Sequence, residues 1–328
     1  MNTQLNTKRI LIFLAFAFGI PWAAALVLYL TVGMDDLAKA QGLANNIAIS
    51  TPWLANVATR LITKEGRERL MLRPNFRRGW RFYLAAWLLP LLALIVGGAA
   101  FYLLFPQSFD PNLGELQKNL AGSPFGTDAN PWMVWLIQAL VQMITIVPMV
   151  AVLCFGEEFG WRGYLLPKLV EHFAGASVED LPHTSGLNTA GARKAALLVG
   201  VIHGVWHWPL ICMAAKYNPG LTILSLLIYF IFSCSLSVLL SWVTLRSGSM
   251  WPAAVVHATL PAYGMLVVSF PLKGPAIPLL GPDADGLIGG IGFTILALIL
   301  LFSRRAFVGG KQPAVSENLQ AKEYSTLV

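Results

Sequence analysis

Three short stretches hold the side chains able to do chemistry in an otherwise apolar sequence. Residues 154–167, CFGEEFGWRGYLLP, carry two adjacent carboxylates, Glu157 and Glu158, behind a run (132–153) without a single charge. Read as a helix, Glu158 and Arg162 are i and i+4, so they share a face and can pair. Glu157 is turned about 100° away and is left without that partner. One acid is then neutralised by its own helix while the other stays available, a division that suits one structural and one catalytic carboxylate. The stretch HGVWHWP puts His203 and His207 at i and i+4 as well. That spacing fits a two-histidine metal site, with Glu157 or His257 completing a zinc set, or a metal-free pair that orients water and substrate. WPAAVVHATLPA adds His257. The plainer alternatives are a helix end capped by an ion pair for Glu158 and Arg162, and a satisfied interhelical hydrogen bond for His203.

These groups have to be positioned within a membrane. The chain of 328 residues is 56% hydrophobic and 12% charged, with a mean hydropathy of +0.64. Soluble domains carry about 25% charged residues, so the composition specifies an all-α polytopic membrane bundle. Runs near the roughly 20 residues that cross a bilayer recur throughout. The expected spans are about 10–32, 43–62, 82–105, 132–156, 194–214, 221–245, 250–270 and 286–303, about eight transmembrane helices. The second, with its Asn residues and Pro52, reads as tilted and buried in the bundle. Gly156, Gly160 and Gly163 would let another helix approach the acidic motif closely. Ionisable residues inside spans mark functional sites by default, and the three motifs supply them.

Charge sets the orientation. Segment 63–81 has seven basic and two acidic residues, among them Lys64, Arg67, Arg69, Arg73, Arg77, Arg78 and Arg81. The alternate loops hold Asp35, Asp36, Asp110, Glu115, Asp128, Asp283 and Asp285. The positive-inside bias then puts the basic segment and both termini in the cytoplasm of a multi-pass cell-membrane protein. It also accounts for the net charge of +7 without a nucleic-acid partner. Cys154, Cys212 and Cys234 make neither a disulfide framework nor a zinc-finger pattern. The first apolar run continues through Val32 and reads as an uncleaved helix. His183 falls in a Gly/Ser/Thr-rich loop and reads as solvated. Counted from Trp132, Glu157 falls near the inner membrane edge. His207 lies about 20 Å inward of Arg193 and Lys194, so tilt or a later helix start must close the gap.

In this order, Glu157-Glu158-x-x-x-Arg162, a histidine in a W-H-x-P context and a histidine after W-P-A resemble the CPBP family, the CAAX protease and bacteriocin-processing (Abi) group. Its motifs are EExxxR, FxxxH and HxxxN/D, spread over three helices. The resemblance implies an intramembrane endopeptidase without a cofactor, acting on a peptide or lipidated protein in the bilayer. It implies that Glu157 activates water with His207, that Glu158 and Arg162 support the site, and that His257 helps hold the oxyanion. It implies a catalytic core over 130–270, which hydropathy and composition flank with N-terminal helices and a basic loop (1–129), a last helix (271–305) and a disordered cytoplasmic tail (306–328). Two positions depart from the pattern. His203 stands where an aromatic residue is usual, and Pro261 stands where Asn or Asp is expected. Proline cannot donate, so Thr259, His203 or a water must replace that donor. Two other functions remain open: a metal-dependent protease, and a non-catalytic immunity or scaffold protein of the same fold.

Overall fold

The computed structural model describes residues 3–32, 36–67, 70–120, 130–175, 189–215, 222–264, 266–267, 270–277, 279–303 and 305–307. His183, with most of its loop, and the expected tail beyond residue 307 lie outside the described residues. The elements are α1 Thr3–Thr31, α2 Leu37–Ile62, α3 Phe76–Leu104, α4 Gly114–Leu120, α5 Pro131–Val141, α6 Val147–Gly160 and α7 Leu166–Ala174. They continue with α8 Thr189–Trp206, α9 Trp208–Ala215, α10 Thr222–Ser247, α11 Trp251–Gly264 and α12 Ile291–Phe302. No strand occurs among the described residues, only two isolated β-bridges.

The chain is an all-α membrane bundle. Five of its helical stretches are long and apolar enough to cross a membrane: Leu5–Thr31, Gly79–Leu104, Pro131–Ala174, Thr189–Met213 and Thr222–Ser247. The remaining expected spans take other forms. α2 is 26 residues long but more polar, and α11 and α12 have 14 and 12 residues. A 12-residue helix is about 18 Å long, short of a ~30 Å hydrocarbon core.

The expected span 132–156 ends too early. α5, α6 and α7 form one continuous helical stretch of 44 residues, joined by π-turns at Gln142–Ile146 and Trp161–Leu165. Its first half turns Leu136, Leu140, Ile144, Met149 and Leu153 outward, as a lipid-facing surface does. From Gly156 to Val170 every residue is buried. The apolar run therefore stops where lipid contact gives way to protein contact, and the membrane edge is set elsewhere. The expected span 194–214 is interrupted instead: α8 ends at Trp206 and α9 starts at Trp208, with His207 in the turn between them. Pro209 stands at the second position of α9, where its missing N–H costs no helical hydrogen bond.

Packing centres on the acidic motif. α6 is gripped between α2 and α11, α8 lies on α10 and α7, and α3 backs α11 and α12. Two glycines permit close approaches beside the motif helices. A Cβ on Gly160 would sit 2.4 Å from the Pro52 Cβ of α2, and one on Gly200 would sit 2.7 Å from the Cys234 Cα of α10. Serines then link α10 to α8, Ser233 donating to the Gly200 carbonyl (3.1 Å) and Ser237 to that of Ala196 (2.8 Å). Small residues with interhelical hydrogen bonds are how helices associate where lipid offers no hydrophobic drive.

Candidate active site

The three motifs converge. α6 supplies Glu157 and Glu158, the following π-turn supplies Arg162, α8 supplies His203, the turn after it supplies His207, and α11 supplies His257. Glu158 and Arg162 are both fully buried, and Arg162 Nη1 donates to Glu158 Oε1 at 3.1 Å. The same oxygen lies 2.9 Å from His257 Nδ1. Glu158 is thus committed to a guanidinium and an imidazole, partners a buried carboxylate needs.

Glu157 has a different surrounding. Its Oε2 lies 3.0 Å from His203 Nε2, and its residue exposure is 5%. His203, rather than His207, is the imidazole at hydrogen-bond distance. His207 stands one turn on, its ring 5.0 Å from that of His203, and the ring of His257 is 6.4 Å from that of His203. Trp161 and Trp206 pack against His203 at 5.3 and 5.6 Å and fix its ring plane. Donor atoms of Glu157, His203 and His207 all lie within 4.8 Å of one another, a set with the composition of a His₂Glu zinc centre. Glu157 could equally polarise a water held between these rings.

The surrounding helices hold this geometry through contacts no motif marks. Asn56 of α2, wholly buried, donates to the Phe159 carbonyl (2.9 Å) just before the π-turn, and Arg60 Nε donates to Asn56 Oδ1 at 2.8 Å. Trp206 Nε1 donates to the Ala17 carbonyl of α1 at 2.8 Å. Tyr229 of α10 meets the His207 ring edge-on at 5.1 Å. The polar residues of the second expected span were a signal for Asn56. Tyr229 sits in the apolar stretch LLIYFIFS, where nothing in the sequence singles it out. Of the two side chains offered beside a water in place of Pro261, Thr259 gives its hydroxyl to the Val256 carbonyl of its own helix at 2.6 Å, and His203 is engaged with Glu157.

Comparison with known proteins agrees with the motifs. The family described as type II CAAX prenyl endopeptidase Rce1-like matches residues 128–262. No curated protein matches the chain. The matched stretch holds Glu157, Glu158, Arg162, His203, His207 and His257 together. Over residues 128–262, this chain is similar to the family of type II CAAX prenyl endopeptidases described as Rce1-like.

Proposed function

We propose that the chain is a cofactor-free intramembrane endopeptidase in which Glu157 activates water for attack on a peptide bond of a membrane-embedded or lipid-anchored substrate. The observation that supports this best is the asymmetry of the two carboxylates. Glu158 Oε1 is bound by both Arg162 and His257, whereas Glu157 Oε2 pairs with the imidazole of His203. In this reading Glu157 is the general base, and His203 orients it and receives or returns a proton. His207 borders the substrate, and His257, anchored by Glu158, turns its other ring nitrogen to the developing oxyanion. The membrane-facing helices and the basic residues at the start of α3 fit a cell-membrane protein with both termini cytoplasmic and with lipid as its surroundings.

The test compares peptide termini in the membrane proteome of cells that express the wild type or Glu157→Gln at equal abundance. Specific new ends should be present with the wild type and missing with the variant. Matching profiles would end the peptidase reading and leave a non-catalytic immunity or scaffold role for the fold. A second reading is favoured by the donor set of Glu157, His203 and His207: a divalent metal such as zinc held by these three side chains. Metal analysis of the purified protein decides between them. Stoichiometric zinc lost together with activity on chelation supports the metal centre, and full activity of a metal-free sample removes it.

A further inference from the structure

Hydrolysis at Glu157 builds negative charge on the substrate carbonyl oxygen, and that charge needs hydrogen-bond donors at about 3 Å. His257 is one. The next position on the same face of α11, one turn along, is Pro261, which has no donor on side chain or backbone. Thr259 and His203 are already engaged.

A cleft of about 190 Å³ opens between α9, α10 and the segment 276–286. Its walls include Tyr229 and Ile211, and Ile211 lies one helical turn beyond His207, bonded through its N–H to the His207 carbonyl at 3.1 Å. Tyr229 therefore stands where the cleft meets the His207 ring, with Asp283 and Asp285 on the opposite lining. The Tyr229 hydroxyl makes no hydrogen bond to a described residue. A phenol at neutral pH is a strong donor that keeps its proton.

We propose that Tyr229 is a catalytic residue that donates a hydrogen bond to the oxyanion in place of the side chain missing at position 261. The proposal rests on the peptidase reading above. In the step it serves, the oxygen of a water molecule bonds to the scissile carbonyl carbon. One water proton passes to the Glu157 carboxylate, and the carbonyl π pair moves onto the oxygen facing Tyr229 and His257. Collapse then breaks the C–N bond, and the proton held by Glu157 leaves on the amine. Tyr229 and His257 donate hydrogen bonds throughout and transfer nothing.

The experiment uses the full chain in detergent micelles and a peptide that spans the cleavage site found by the terminus comparison. Tyr229→Phe keeps the ring against His207 and removes only the hydroxyl. Its kcat should fall by about 10²–10³-fold, the loss seen when one oxyanion donor is removed, with KM within about twofold. Adding Pro261→Asn to Tyr229→Phe should recover part of the loss by restoring a donor one turn after His257. An unchanged kcat in a folded Tyr229→Phe overturns the proposal, and so does a rise in KM alone, which would make Tyr229 a binding residue. A Glu157→Gln variant that cleaves like the wild type would overturn the peptidase reading instead. Glu157→Gln inactive beside a fully active Tyr229→Phe would overturn only the role of Tyr229.

Discussion

At the scale of single residues, two chemically identical side chains at adjacent positions have different partners because a helix turns each residue by about 100°. Glu158 is held by Arg162 and His257 with no exposure, so the pair is an internal ionic bond rather than a solvated one. Arg162→Ala would leave Glu158 ionised and half-paired in the bundle, a loss of about 3–5 kcal/mol. A fall in the thermal midpoint of the detergent-solubilised protein and in its membrane abundance would show this; an unchanged midpoint would mean that the pair contributes little. Arg162→Lys should not restore full stability, because a point ammonium does not reproduce a planar guanidinium donor. Glu157→Gln should melt near the wild type, since an amide still reaches His203. The two histidines should also separate. His203→Ala removes the imidazole bonded to Glu157 and should cut the cleavage rate by 10²–10⁴-fold, while His207→Ala, one turn farther, should cost less. Equal losses would mean that both rings act on the same proton. The sequence placed all six side chains in one site, but the choice between His203 and His207 depended on how deep Glu157 lies, which hydropathy does not measure.

At the scale of elements, hydropathy revealed where the helices are and failed where lipid contact and helix continuity diverge. The uncharged run before Glu157 ends because the helix leaves lipid for the bundle interior, where Glu158, Arg162 and Lys168 find partners. The stretch continues to Ala174, so Glu157 is an interior position of a long helix and needs no tilt to meet His203. The π-turn at Trp161–Leu165 was hidden, whereas Pro209 was a local signal for the break at His207. The glycine reading holds at Gly156 and Gly160, which α2 touches, but not at Gly163, which meets Phe159 of its own helical stretch and Leu70. Gly160 is where α2 touches α6, and its absent Cβ is what allows that approach. Gly160→Ala would place a methyl group 2.4 Å from the Pro52 Cβ, so the two helices must part and the Asn56 bond to the Phe159 carbonyl must stretch. A stability loss of about 1–3 kcal/mol is expected, with an activity loss larger than Gly19→Ala produces, because Gly19 has open space around its α-carbon. Thermal unfolding beside the cleavage rate of both variants decides it. Equal behaviour of the two would show that α2 does not position the acids.

At the scale of the whole molecule, the family match spans residues 128–262, yet the ends of that core are closed by residues outside it. Glu65, just after α2, accepts hydrogen bonds from Tyr164 (3.0 Å) and from Lys168 of α7, and Arg9 of α1 lies 3.4 Å away. One carboxylate therefore ties α1, the α2–α3 connection and the helical stretch carrying Glu157 together. Burial by itself would raise the Glu65 pKa, but the hydrogen bond and charge of Lys168, with the charge of Arg60, hold it below its ordinary value of 4.5. A carboxyl whose folded pKa is depressed contributes stability that is fully present above its unfolded pKa, near 4.3, and is lost as pH falls through the folded value. The thermal midpoint of the wild type in detergent should accordingly hold from neutral pH to about 5 and fall steeply below about 4. Other carboxylates add to such a fall, so the informative quantity is the difference from Glu65→Gln. That variant should be less stable than the wild type at pH 7, and the gap should narrow as the pH drops and Glu65 in the wild type takes up its proton. Parallel curves across the whole range would mean that the clasp around Glu65 does not hold the N-terminal helices to the helix carrying Glu157. A gap that closes in acid would show that residues outside the family segment stabilise the helix carrying Glu157.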